Sequence, residues 1–172
     1  MTLKPSFFPW LILAFFFSNL IHEACHWLMG AALGFEMRFG LNAVSYLSPT
    51  EPWQRALADI AGPAVTIAQG VIAYVLVMRN GSQKIFAFLY AAFFMRLVAG
   101  LVSFMHPNDE ARVSMFLGWG KWTLPVLVAA GLLVLVVKAS RRLELGWKDH
   151  LASYGDASLA VSLIVGLDRV LR

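Results

Sequence analysis

The sequence predicts an all-α integral membrane protein: about four membrane-spanning helices, a short β-hairpin after the first, and a C-terminal helix lying at the interface. Two observations carry this reading. Of the 172 residues, 59% are hydrophobic and only 14% charged, where a soluble domain carries roughly a quarter charged residues. The apolar residues also fall in runs long enough to cross about 30 Å of hydrocarbon. The formal charge of +4 fits Lys and Arg flanking such runs. No basic run is interleaved with aromatics, so the expected surroundings are a lipid bilayer and no nucleic acid. The single cysteine, Cys25, excludes an internal disulfide framework.

The first expected span covers residues 7–33. Hydrocarbon offers backbone groups no partner, so each span is expected to be helical. This run contains His and Glu, and no small-residue cleavage site follows it, so no cleavable signal peptide is expected there. In the connection at residues 35–52, Phe35, Met37 and Phe39 alternate with Glu36 and Arg38, which is a strand period. Gly40, Leu41 and Asn42 can turn the chain, and residues 43–47 offer a second strand. A hairpin here would leave an unpaired edge able to bind another chain in extended form; an irregular loop is the alternative. Further spans are expected at residues 53–78, 85–105 and 122–137, with Asn80-Gly81-Ser82 turning between the first two. Ser140 to Tyr154 is a charged stretch holding Arg141, Arg142, Lys148 and His150. Residues 157–171 are apolar but short and carry Asp168 and Arg169, which favours an interfacial helix over a fifth span. No repeat or second domain interrupts this single membrane-embedded domain, residues 1–172.

His22-Glu23-Ala24-Cys25-His26 is an HExxH sequence inside an apolar helix. Two histidines at i and i+4 stand on one face, one turn apart, so both imidazoles can reach one zinc ion. Glu23 can sit beside the metal and take a proton from a water that it activates. Three ionisable groups in five residues of membrane helix are costly and call for a function or for hydrogen-bonding neighbours. Asn19, one turn earlier, is a candidate support for the metal ligands or a plain helix–helix contact.

A catalytic zinc takes three protein ligands and keeps one position open. His106-Pro107-Asn108-Asp109-Glu110 follows the third span, and Pro107 prevents regular helix there. Asp109 is the expected third ligand and His106 its rival; Asn108 and Arg112 are candidate supporting or substrate-binding residues. Acids at a helix start are favoured in any case, which is the other account of Asp109. Arg96, inside the third span, suits an ion pair between helices or an oxyanion contact near the metal. Ala58, Gly62, Thr66 and Gly70 place small side chains on one stripe of the second span, which permits close helix approach.

Three motifs in order resemble the site-2 protease family of intramembrane zinc metalloproteases. His22-Glu23-Ala24-Cys25-His26 is similar to its HExxH. Ala61-Gly62-Pro63 is similar to its AGP segment, and Pro107-Asn108-Asp109-Glu110-Ala111-Arg112-Val113 to its proline-containing Asp-Gly-Gly-Arg-Val region. The resemblance covers roughly residues 7–120 by the same span reading. It implies that His22, His26 and Asp109 bind one zinc ion per chain, that Glu23 is the general base, and that the substrate is a transmembrane protein. Glu110 replaces the family's glycine, Thr66 stands where many members carry Asn, and no PDZ-like insertion separates the second and third spans. A divergent, minimal member of a bacterial cytoplasmic membrane is the expectation. The Lys and Arg distribution puts the N-terminus in the cytoplasm, whereas the resemblance puts it outside. The alternatives are a catalytically silent scaffold for client helices, a di-iron oxidoreductase and a metal transporter. Four histidines in all are too few for the second, and the concentration of polar residues at one depth disfavours the third.

Overall fold

The computed structural model describes residues 2–171. Among these, six helices and one hairpin follow in the order α1 (Phe7–Ala32), β1 (Met37–Arg38), β2 (Ser45–Tyr46), α2 (Pro52–Asn80), α3 (Gln83–Val102), α4 (Asp109–Phe116), α5 (Thr123–Arg142) and α6 (Trp147–Leu171). In α1 the buried residues Phe7, Leu11, Phe15, Ser18, His22, His26 and Gly30 recur every three or four positions, a single helical stripe. That stripe is apolar in its first turns and polar after Ser18. One face of one helix therefore builds both the core and the polar centre.

The chain between α1 and α2 forms the two-stranded hairpin, with Met37 opposite Tyr46 and Arg38 opposite Ser45. Helix α2 begins at Pro52, whose missing N–H falls where no intrahelical bond is needed. Glu51 and Gln54 close a capping box around that start. It ends at Gly81, whose φ of 62° places it in the left-handed region that glycine adopts freely. Helix α3 packs against α1, α2 and α5, and residues 89–96 are buried throughout. It stops at Val102, earlier than the apolar run suggests, because Pro107 bars continuation. The short helix α4 then starts at Asp109, capped by Asn108, whose side chain accepts from the Ala111 N–H at 2.9 Å.

Five helices, α1, α2, α3, α5 and α6, are long and apolar enough to cross a membrane by length and composition, one more than the sequence predicts. The correction lies at the C-terminal end. The charged stretch divides between two helices: α5 runs through Arg142, the chain turns near Glu144 at a φ of 54°, and Lys148, Asp149 and His150 fall in the first turn of α6. Helix α6 thus has 25 residues, about 37 Å of helix, and begins well before the apolar run at residue 157, its first turns being polar.

The bundle has two unlike ends. At one, the Leu3 N–H donates to Asp149 (2.9 Å) and the Lys4 N–H to Gln83 (2.9 Å), above a core of Phe7, Leu11, Phe86, Leu89, Val136 and Leu143. At the other, Asn19 donates to the Leu41 carbonyl and the Asn42 N–H to Asp168 (3.2 Å), so α1 and α6 both hold the hairpin turn. The buried ionisable side chains His22, Glu23, His26, Asp59, Arg96 and Glu110 gather toward this second end. Arg96 of α3 donates to Glu110 of α4 at 2.9 Å, with side chains 4% and 1% exposed.

A buried ion pair contributes little net stability, but removing one partner strands the other charge. Arg96→Met is expected to destabilise the fold by about 3–5 kcal/mol, and adding Glu110→Met to recover most of that loss. Thermal unfolding of the purified variants checks this; a double variant no more stable than the single one contradicts it.

Candidate metal centre

His22 and His26 project from α1 into the face of α2 that carries the small residues. The His26 Nδ1 lies 2.7 Å from the Ala58 carbonyl oxygen. A carbonyl only accepts, so this nitrogen carries the proton. The His22 Nδ1 lies 3.0 Å from the Thr66 hydroxyl, whose own proton goes to the Gly62 carbonyl at 3.0 Å. The hydroxyl is therefore the acceptor, and this Nδ1 is protonated too. In its neutral form each ring is the Nδ1–H tautomer with an Nε2 lone pair left over, the arrangement that ligand histidines adopt.

The two Nε2 atoms face each other at 3.1 Å, and each is 3.4 Å from Asp109 Oδ2. Three lone pairs thus point at one spot. Without a positive charge between them they repel; a shared cation is the arrangement that stabilises them. His22, His26 and Asp109 are the group of side chains that can hold a metal ion among the described residues. A Cβ at Gly62 would run into both imidazoles, 2.6 Å from His22 Cε1, so only glycine lets α2 close on the rings. The stripe predicted from packing alone also serves the centre, since Ala58, Gly62 and Thr66 all touch the histidines.

Asp109 presents only one oxygen because the other is held. Arg112 donates to Asp109 Oδ1 at 2.6 Å, to Asp59 Oδ2 at 2.6 Å and Asp59 Oδ1 at 3.0 Å, and to the Pro107 carbonyl at 3.0 Å. Tyr46 of the hairpin donates to Asp59 at 3.1 Å. A chain of charge-assisted bonds therefore runs from the hairpin through α2 to the third ligand. Burial and the Asp59 charge push the Tyr46 phenol above its ordinary range, so it remains a donor.

Glu23, one residue after His22, is buried and borders two cavities. One, of about 420 Å3, is lined by Glu23, His26, Asp109, Arg55 and the hairpin residues Asn42 to Tyr46. The other, of about 260 Å3, is lined by His22, Glu23, Asn19, Arg96, Asn108 and Val161 and Val165 of α6, among others. Arg96 stands 3.5 Å from His22 Nε2. Asn19 binds the hairpin turn instead of a histidine, and Asn108 donates to Glu110 at 2.7 Å. His106 is exposed and outside the ligand group. Sequence reasoning missed Asp59 and Tyr46. An acid in an apolar helix, one turn before Pro63, was the available signal for Asp59; Tyr46 gave none.

No family model, curated protein or solved structure matches the chain.

Supports of this kind are worth about 10–100-fold in metal affinity. Asp59→Asn is expected to weaken metal binding by that factor while leaving one site per chain, and Gly62→Ala to abolish binding. Titration against a chromophoric chelator measures both. Unchanged affinity in Gly62→Ala contradicts the close approach of α2 to the rings.

Proposed function

We propose that this chain is an intramembrane zinc metalloprotease of the site-2 protease kind. The observation that carries the reading is the convergence of His22 Nε2, His26 Nε2 and Asp109 Oδ2 beside a carboxylate, Glu23, that opens on a cavity. The five apolar helices support insertion in a bilayer. Their outward faces expose large apolar side chains such as Phe17, Ile21, Leu28, Ile72, Leu127 and Leu163, far more than water tolerates.

Zinc suits the donors. Four-coordinate zinc with bonds near 2.05 Å sets its ligand atoms about 3.3 Å apart. The separations of 3.1, 3.4 and 3.4 Å are of that size. Bound there, zinc supplies Lewis-acid polarisation of water and of a peptide carbonyl. His22, His26 and Asp109 would hold it, with Glu23 lining the adjoining cavity. Glu23 takes the proton of the attacking water and returns it to the departing amide nitrogen. The substrate is a transmembrane helix, unwound locally and laid along the free edge of the hairpin, which borders the larger cavity.

One observation favours a second reading, a silent scaffold. The Arg96 guanidinium near His22 Nε2 offers positive charge of its own. Its distances of 3.5 Å to His22 Nε2 and 3.9 Å to Asp109 Oδ2 are long for strong hydrogen bonds, and its short bond goes to Glu110, which supports the metal reading.

The purified full-length protein is expected to hold one zinc per chain and to cleave a transmembrane substrate. Glu23→Gln keeps the zinc and loses cleavage; His22→Ala and Asp109→Ala lose both. Cleavage surviving in Glu23→Gln, or a wild-type protein without stoichiometric zinc, overturns the reading.

A further inference from the structure

The larger cavity has a charged wall that the proposed chemistry leaves unused. Asp59 is fully engaged: Arg112 takes both its oxygens at 2.6 and 3.0 Å, and Tyr46 adds a third bond. Arg55, one turn before Asp59 on α2, comes no closer to it than 4.0 Å, beyond hydrogen-bonding distance. Among the described residues no hydrogen bond uses the Arg55 guanidinium. Its side chain is 51% exposed, lines the cavity, and lies over the Tyr46 ring at 5.2 Å from the centroid. Stacking of this sort fixes a guanidinium while leaving its N–H fork open for a planar anion.

The hairpin places Tyr46 where a docked chain would run. The Leu47 N–H donates across to the Glu36 carbonyl at 2.8 Å, and Tyr46 faces Met37 in the register. In an antiparallel pair the bonding direction alternates along the strand. The peptide groups of Tyr46 therefore point away from β1, toward the open edge. An extended chain added at that edge passes beside the ring on which Arg55 rests.

We infer that Arg55 forms a subsite for a carboxylate carried by the extended peptide, presented either by an Asp or Glu side chain or by a free C-terminus. This rests on the protease reading for the identity of the peptide. The geometry suits an anion: Arg112 holds the Asp59 oxygens at 2.6 and 3.0 Å, so Arg55, in only a long 4.0 Å ion pair with Asp59, keeps its N–H fork for a carboxylate. A lysine at the same place in the peptide would face like charge.

The test uses full-length Glu23→Gln protein in detergent, zinc-loaded, and fluorescent apolar peptides differing by one group. One pair carries Asp or Asn at a scanned internal position; the other has a free or amidated C-terminus. A carboxylate is expected to bind about tenfold tighter than its amide counterpart in one pair, the size of one charge-assisted contact. The pair that discriminates identifies the source of the carboxylate. The preference is expected to shrink with added salt and to vanish in Arg55→Gln, with Arg55→Lys retaining part of it. Equal binding of acid and amide peptides in both pairs, or a preference that persists in Arg55→Gln, overturns the subsite. Because binding is read in an inactive variant, absence of cleavage by the wild type would count against the protease reading and leave this result standing.

Discussion

Three lone pairs aimed at one point govern the rest of this molecule. Two imidazoles and a carboxylate at 3.1 to 3.4 Å repel one another unless a cation sits between them, and their outer atoms are fixed so that they cannot turn away. The Ala58 carbonyl and the Thr66 hydroxyl set the tautomers, Arg112 restrains the carboxylate, and the missing Cβ of Gly62 admits α2 against the rings. Positioning costs of this sort are met in the fold itself, before any cation binds.

The surrounding charges are arranged in neutral pairs. Glu110, standing where the resembled family has glycine, does not add a free negative charge beside the metal ligands; Arg96 balances it inside the bundle. Asp59 and Arg112 do the same between α2 and α4. A cation at the three ligands would then meet the charge of Asp109 and of Glu23. Such pairing is what allows several ionisable groups to share one buried region without prohibitive desolvation. It also connects the hairpin to the centre, since Tyr46 is bonded to the same carboxylate that orients Arg112.

Much of this could be read along the chain because it is local. The i, i+4 histidines share a helical face by geometry alone, and Pro107 marks where the third span must break. The small-residue stripe of α2 was visible as a packing surface, but its contact with imidazoles depends on how α1 and α2 meet, which no spacing reveals. The same holds for Asp59 with Arg112, paired across 53 positions, and for Tyr46. The C-terminal helix was misjudged for a different reason. Its first turn is polar because it lies at the end of the bundle, where Asp149 binds the Leu3 N–H, so hydropathy alone starts the helix too late. Asp168, at the far end of α6, was noticed only as a charge unsuited to a span; it is buried and anchors the hairpin turn.

A single cation shared by two imidazole nitrogens and one carboxylate oxygen has a coordination shell that zinc K-edge X-ray absorption on the purified full-length protein reads directly. The expected spectrum is that of a four-coordinate site with two imidazoles and oxygen donors at about 2.0–2.1 Å, losing one imidazole or the metal itself in His26→Ala. A six-coordinate shell of oxygen alone, a sulfur donor from Cys25, or a spectrum unaffected by His26→Ala would contradict it.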